Sequence, residues 1–129
     1  MYLRRFYFII LVYANLKIEY DTKDKTFWKR KGNDMKVLLG AVNAKYIHSN
    51  LAVYCLKAYA EKYGDTSDEI SIGEYTINQQ LDEILRDIYK RKPDMLCLSC
   101  YIWNLTYVEE ICREIKKVMP QIIIWIGGP

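Results

Sequence analysis

The chain has 129 residues, of which 51% are hydrophobic and 27% charged, a composition typical of a globular domain with a core of its own. Residues 1–34 hold eight Lys and Arg against four Asp and Glu, and residues 35–129 hold eleven against twelve, so the net charge of +3 is concentrated at the amino terminus. The larger part of the chain is nearly neutral, which argues against a nucleic-acid-binding surface there.

The first 34 residues form an N-terminal extension of uncertain role. Arg4 and Arg5 precede the apolar run Phe6–Ala14, as in the n-region and h-region of an export signal. The run is much shorter than the roughly 20 residues that a membrane helix needs, and no small-x-small cleavage site follows it. Three interpretations stay open: an upstream extension with the natural start at Met35, a peripheral anchor or added edge strand, and an export signal. We expect no integral membrane span.

The next part of the chain predicts a strand, a helix and a second strand. Lys36–Val42 is an apolar run that predicts a buried strand, and Asn50–Tyr63 predicts a helix that ends at Gly64. In Ile70–Tyr75, the side chains of Ile70, Ile72 and Glu74 alternate with Ser71, Gly73 and Tyr75. This alternation is typical of a half-exposed edge strand. These elements together predict a βαβ unit.

The alternation continues with a second helix and a third strand. Asn78 is the expected N-cap of a helix over Gln79–Lys92, Pro93 prevents its continuation, and Asp94–Ser99 is the next strand. One face of this helix carries apolar residues at i, i+3, i+4 and i+7, namely Leu81, Ile84, Leu85 and Ile88. The spacing predicts that this face is buried.

A third helix and a fourth strand complete the pattern. Thr106 and Glu109 match a capping box at the start of a helix that ends at Pro120. The predicted buried side of this helix consists of Val108, Ile111, Cys112, Ile115 and Met119. Ile122–Ile126 is apolar throughout and is the predicted fourth strand.

The order βαβαβαβ predicts an α/β fold for residues 35–129. We expect a flavodoxin-like (Rossmann-like) parallel sheet in three α/β/α layers, with strand order 2-1-3-4. A doubly wound domain normally continues with another helix, strand and helix. We therefore expect this domain to be truncated after its fourth strand, incomplete at its C-terminus, and part of a longer protein.

Cys97 and Cys100 form a CxxC motif, which occurs in zinc sites and redox pairs. Here the motif coincides with a predicted strand, where alternation places the two side chains on opposite faces. No second CxxC or histidine cluster completes a zinc site. We interpret the four cysteines as buried thiols of a protein in the reducing cytoplasm.

Several ligand-binding motifs of α/β folds are absent from the sequence. It has neither GxGxxG after the first strand nor GxxxxGK[ST], the usual dinucleotide and phosphate sites. Asn43 and Ser99 stand where response regulators have acidic residues, and Asn43–Ser49 is not the phosphate loop of a flavodoxin. His48 has no clearly placed carboxylate to orient it, so we expect no catalytic triad and no catalytic residue in this chain.

Polar and aromatic residues gather where the predicted strands end. In open α/β sheets, ligands lie just beyond the carboxyl ends of the strands. Those ends are followed here by Asn43–Ser49, Ser99–Trp103 and Gly127–Pro129. Glycine lets backbone approach a flat ligand closely, and Tyr and Trp supply apolar faces with polar tips. The sequence therefore predicts a binding platform at this edge of the sheet.

The segments Asn43–Ala52, Leu98–Asn104 and Gly127–Pro129 together resemble the cobalamin-binding N-terminal domain of cobalamin-dependent radical SAM proteins. The resemblance spans Met35 to Pro129 and implies a flavodoxin-like domain that holds cobalamin over the carboxyl edge of the sheet. The cofactor-binding residues that it implies are Asn43, Ala44, Lys45, Tyr46, His48, Ser49, Ser99, Cys100, Tyr101, Trp103, Gly127 and Gly128.

His48 departs from the best-known cobalamin motif, DxHxxG, in which the histidine ligates cobalt. Tyr46 and Leu51 stand where that motif has Asp and Gly. Three roles stay open for His48: a cobalt ligand, a hydrogen-bonding residue near the corrin or its tail, and a residue that fixes the loop or caps the next helix.

The resemblance also implies a division of labour within a longer protein. The radical SAM barrel, with S-adenosylmethionine and an iron–sulfur cluster on a CxxxCxxC motif, would lie in a separate C-terminal part, because that motif is missing here. This chain would then bind cobalamin for an enzyme of methyl or alkyl transfer. Two alternatives stay open: a degenerate α/β docking module without corrinoid, and a small-molecule- or nucleotide-binding α/β domain.

Overall fold

The computed structural model describes residues 35–45, 49–63 and 68–128. They form β1 Lys36–Asn43, α1 Leu51–Tyr63, β2 Glu69–Thr76, α2 Leu81–Arg91, β3 Met95–Ser99, a 3-10 helix Ile102–Asn104, α3 Leu105–Val118 and β4 Ile123–Gly127. The predicted βαβαβαβ order is confirmed. The extension 1–34 and Gly64, the expected end of α1, lie outside the described residues.

The four strands form one parallel sheet in the order β2-β1-β3-β4, as predicted. The register aligns the strand ends: Asn43 pairs with Thr76, and Ser99 pairs with Gly127. Because all strands run in the same direction, their carboxyl ends share one edge of the sheet. β2 is an edge strand, also as predicted.

The main core lies between the sheet and helices α2 and α3. It is built from Leu38, Val42, Leu96 and Leu98 of the sheet and from Ile84, Ile88, Val108, Ile111 and Ile115 of the helices. Full burial of one such side chain stabilises the fold by about 1.5–3 kcal/mol. On the opposite face, Leu39 and Ala41 pack with Val53 of α1. The three predicted layers and the buried faces of α2 and α3 are therefore confirmed.

The start of α2 differs from the prediction. Asn78 is not its N-cap, because the helix begins at Leu81, after Gln80. The residues that follow β2 form a turn of their own. In this turn the Gln79 side-chain oxygen accepts a hydrogen bond from the Thr76 amide at 2.9 Å, and the Gln79 amide donates to the Thr76 carbonyl at 3.1 Å. The turn thus occupies the residues that an earlier helix start would need.

The start of α3 also differs, and the predicted capping box of Thr106 and Glu109 is wrong. The 3-10 helix Ile102–Asn104 runs directly into α3 at Leu105. Thr106 is therefore already the second residue of the helix and cannot act as its N-cap.

Cys97 and Cys100 lie on opposite faces of the sheet, as predicted. Cys97 packs against the cluster beside α1, and Cys100 packs against the main core. All four cysteines are free and half-buried, not fully buried as predicted. Burial raises the pKa of Cys97 to about 12 and is the main cause that raises the pKa of Cys112 to about 11. Both thiols therefore stay protonated at neutral pH.

Membrane-spanning helices and clusters of metal-ligating side chains are both absent from the part of the chain that the structure describes. No helix within it is long and apolar enough to cross a membrane. No group of three or more His, Cys, Asp or Glu side chains within it could hold a metal ion.

Candidate functional site

Three strand ends meet at the carboxyl edge of the sheet. β1 ends at Asn43, β3 at Ser99 and β4 at Gly127, and the parallel register places these ends side by side. The predicted convergence of the three segments is therefore confirmed for their described residues. Tyr46 and His48, two of the predicted site residues, lie outside the described residues, as does Pro129.

A cleft of about 370 Å³ opens at this edge. It is lined by Asn43, Ala44, Ser49, Asn50, Leu51, Ala52, Tyr101 and Trp103. Five of these residues were predicted from the sequence. The other three, Asn50 to Ala52, form the start of α1. A strand-end loop that leads straight into a helix was a signal for them, because the first residues of such a helix face the same edge as the strand end.

Tyr101 and Trp103 form a flat aromatic wall on one side of the cleft. Their ring centroids are 5.4 Å apart and their planes are inclined by 12°, so the rings are stacked. Trp103 is 49% exposed, and its neighbour Ile102 is 98% exposed. An exposed aromatic pair of this kind offers a broad apolar surface to a flat ligand.

Asn50 connects the opposite wall to the centre of the sheet. Its amide nitrogen Nδ2 donates to Ser99 Oγ at 2.9 Å, and its Oδ1 accepts from the Ala52 amide at 3.0 Å. The second bond is the contact of an N-cap, which satisfies a free amide at the start of α1. Ser99 is only 2% exposed and lies behind Asn50, outside the lining of the cleft.

Asn104 holds the aromatic wall in place from beneath. The residue is 1% exposed. Nδ2 donates to the carbonyls of Val42 and Ser99, both at 3.1 Å, and Oδ1 accepts from the Tyr101 amide at 2.7 Å. One buried amide group thus joins two strand ends to the loop that carries Tyr101. In the sequence this residue stood in a predicted loop, with no local sign of its burial.

Gly127 and Gly128 pack on Cys100 and do not line the cleft. The Cys100 amide donates to the Gly127 carbonyl at 2.6 Å. A Cβ atom at Gly128 would lie 1.7 Å from the Cys100 carbonyl oxygen, so only glycine permits this approach of the two backbones. The glycines therefore position the Cys100–Trp103 segment. Lys45 is exposed and also lies outside the lining.

Comparisons with known proteins identify the family to which this domain is similar. A model of the B12 binding domain family matches residues 35–129. The cobalamin-dependent radical SAM methyltransferase TokK of Streptomyces tokunonensis is 37% identical over 38 residues, which are 30% of this chain and 6% of that protein. The 2-(S-pantetheinyl)-carbapenam-3-carboxylate methyltransferase of Streptantibioticus cattleyicolor is 40% identical over 37 residues, 29% of this chain and 5% of that protein. The matched segment is a small fraction of either relative.

Proposed function

Because the chain belongs to the B12 binding domain family, we propose that it binds cobalamin at the carboxyl edge of its sheet, over the cleft between the start of α1 and the Tyr101–Trp103 pair. The observation that carries this proposal is the position of the cleft. It opens beyond the carboxyl ends of the adjacent parallel strands β1 and β3, which is where open α/β sheets bind ligands.

The residues of the cleft fit the chemistry of a corrinoid. A corrin is a broad ring with apolar faces and amide side chains around its rim. Tyr101 and Trp103 offer a stacked aromatic surface to such a face, and the exposed Ser49 offers a polar group to such amides. The cleft has the volume of a small ligand pocket, so it would receive part of the cofactor and leave the remainder over the open edge.

In this proposal, the chain's own residues bind and orient the cofactor. Tyr101 and Trp103 cover apolar surface and exclude water from it. Asn50 and Asn104 keep the two walls of the cleft at a fixed separation through their hydrogen bonds to β1 and β3. When bound, cobalamin supplies a cobalt centre that can accept an alkyl group and pass it on.

We further propose that the domain serves a radical SAM enzyme of methyl or alkyl transfer. The two relatives are methyltransferases, and one is named a cobalamin-dependent radical SAM enzyme. The matched segments cover only 6% and 5% of these proteins. S-adenosylmethionine and an iron–sulfur cluster would therefore be bound by another part of the full-length protein, with the barrel as the partner of this domain.

A retention assay tests cobalamin binding directly. The purified protein is mixed with hydroxocobalamin, desalted and scanned for the corrin absorption band, and affinity is then measured by titration. We expect a retained band, and we expect Trp103→Ala to weaken binding by about tenfold, as removal of a central aromatic contact commonly does.

Tyr89→Ala is the matched control, because Tyr89 is an equally exposed aromatic residue, at 50%, on helix α2. It should bind like the wild type. A wild-type protein that is folded by circular dichroism but retains no corrin band would refute the proposal and favour a docking module without corrinoid.

A further inference from the structure

Glu74, on the edge strand β2, lies outside the lining of the cleft but accepts hydrogen bonds from two residues that line it. We propose that Glu74 is a positioning residue of the site, which fixes both ends of the connection between β1 and α1 and thereby sets one wall of the cleft. This inference rests on the proposed function, since it assigns Glu74 to the same cleft.

Three hydrogen bonds converge on the Glu74 carboxylate. Oε1 accepts from Asn43 Nδ2 at 3.3 Å and from the Asn50 backbone amide at 3.2 Å. Oε2 accepts from the Tyr54 hydroxyl at 2.8 Å. The donors stand at the end of β1, at the entry to α1 and one turn further along α1. A single side chain therefore binds the chain before and after the connection.

Two of these donors belong to residues that line the cleft. Asn43 is only 8% exposed, so its amide group has little access to water as an alternative partner. Asn50 also holds Ser99 and caps α1, so a displacement of its backbone would disturb both of those contacts. Loss of the carboxylate would therefore affect the whole wall formed by Asn43 and the start of α1.

Tyr54 makes the shortest of the three hydrogen bonds to Glu74. Its hydrogen bond to the carboxylate is the main cause that raises the pKa of the tyrosine. Its exposed ring contributes little to the core, so the hydroxyl is the part of this side chain that ties α1 to β2.

Glu69 is an exposed glutamate of the same strand that does not make the contacts of Glu74. It lies at the opposite end of β2, its side chain is 70% exposed, and it faces Lys36 at 4.0 Å. Such an exposed pair contributes little to stability. Glu69 is therefore a matched control for Glu74: the same residue type, on the same edge strand, distant from the carboxyl edge.

The experiment compares Glu74→Ala, Glu74→Gln and Glu69→Ala. Hydrogen–deuterium exchange of the cofactor-free protein reports the connection itself, and titration with hydroxocobalamin reports the site. For Glu74→Ala we expect exchange of the segment around Asn50 to become about tenfold faster and affinity to fall about tenfold, the effect of losing one to two net hydrogen bonds. Exchange in β3 should stay unchanged. Glu74→Gln keeps an acceptor and should recover most of both losses, and Glu69→Ala should match the wild type.

The two readouts separate this inference from the proposed function. If the wild type does not bind the corrinoid, the cofactor assignment fails, and exchange around Asn50 alone decides the role of Glu74. Unchanged exchange in Glu74→Ala overturns the inference in every case, and so does unchanged affinity when the wild type binds. If Glu74→Ala does not fold, Tyr54→Phe takes its place, because it removes only an exposed hydroxyl. Wild-type exchange in that variant would then overturn the inference.

Discussion

Asn104 shows how one buried side chain can organise a binding edge. It uses both donors and its acceptor inside the protein, on two strand-end carbonyls and on the amide of Tyr101. No apolar residue can replace these contacts, because each partner left behind would be a buried polar group.

Replacement of Asn104 by Ala should therefore destabilise the fold and loosen the aromatic wall. With a cost of about 1–3 kcal/mol for a buried group left without a partner, we expect a loss of about 3 kcal/mol in the free energy of unfolding. Urea denaturation followed by circular dichroism measures it. Asn78→Ala, at an exposed asparagine of the turn after β2, should change the same quantity by less than about 0.5 kcal/mol. A similar loss in both variants would contradict the role of Asn104.

At this scale, the sequence revealed which side chains gather at the edge but not how they pair. Asn43, Tyr101 and Trp103 were predicted because each directly follows or closely trails a strand end. The roles of Glu74 and Asn104 depend on the register of neighbouring strands, which places their partners 31 and 62 residues away in the chain. Local patterns carry no information on such pairs.

For the helices, the sequence predicts the buried face more reliably than the first residue. The buried faces of α2 and α3 follow from apolar spacing, which acts along the whole helix. The first residue of each helix depends on only one or two hydrogen bonds. The turn before α2 and the 3-10 helix before α3 determine where these helices begin, so neither Asn78 nor Thr106 is an N-cap. The periodic apolar residues therefore determine which helix face is buried, whereas a few weak local hydrogen bonds determine where each helix begins.

Strand β2 ends at Thr76, whose buried hydroxyl group has no hydrogen-bond partner. Thr76 is 3% exposed, and its Oγ1 makes no hydrogen bond. Thr76→Val keeps the branched shape and removes the unpaired hydroxyl, so we expect the free energy of unfolding to rise by about 1 kcal/mol. Thermal unfolding measures the change, with Thr106→Val on the exposed side of α3 as a control expected to give no gain. A loss of stability in Thr76→Val would show that the hydroxyl has a partner.

The described part of the chain is a layered domain in which helices cover both faces of the sheet near β1. The order 2-1-3-4 followed from short parallel crossovers, which leave few ways to arrange four strands. The same order brings the described strand ends to one edge, so the position of the site was a consequence of topology. The depth and lining of the site do not follow from topology, because they depend on how α1 and the 3-10 helix pack above the strand ends.

Global stability should depend on pH through the half-buried thiol of Cys97. Its pKa is raised from 9.0 to about 12 by burial. Below about pH 9 the thiol is protonated in both the folded and unfolded states, so it adds no pH dependence. Between about pH 9 and 12 the unfolded state releases the proton while the folded state keeps it, so stability falls as pH rises. We expect this thiol to account for a loss of about 1 kcal/mol between pH 8 and 10.

Urea unfolding at both pH values measures this loss, and two variants isolate its origin. Cys97→Ala should lower stability at pH 8 and show a smaller further loss at pH 10. Val53→Ala removes apolar volume from the same cluster without removing a thiol, so it should lower stability while keeping the wild-type pH dependence. An identical pH dependence in all three proteins would mean that the Cys97 thiol ionises as readily in the folded state as in the unfolded chain. Its packing against β1 beside α1 would then be looser than the structure shows.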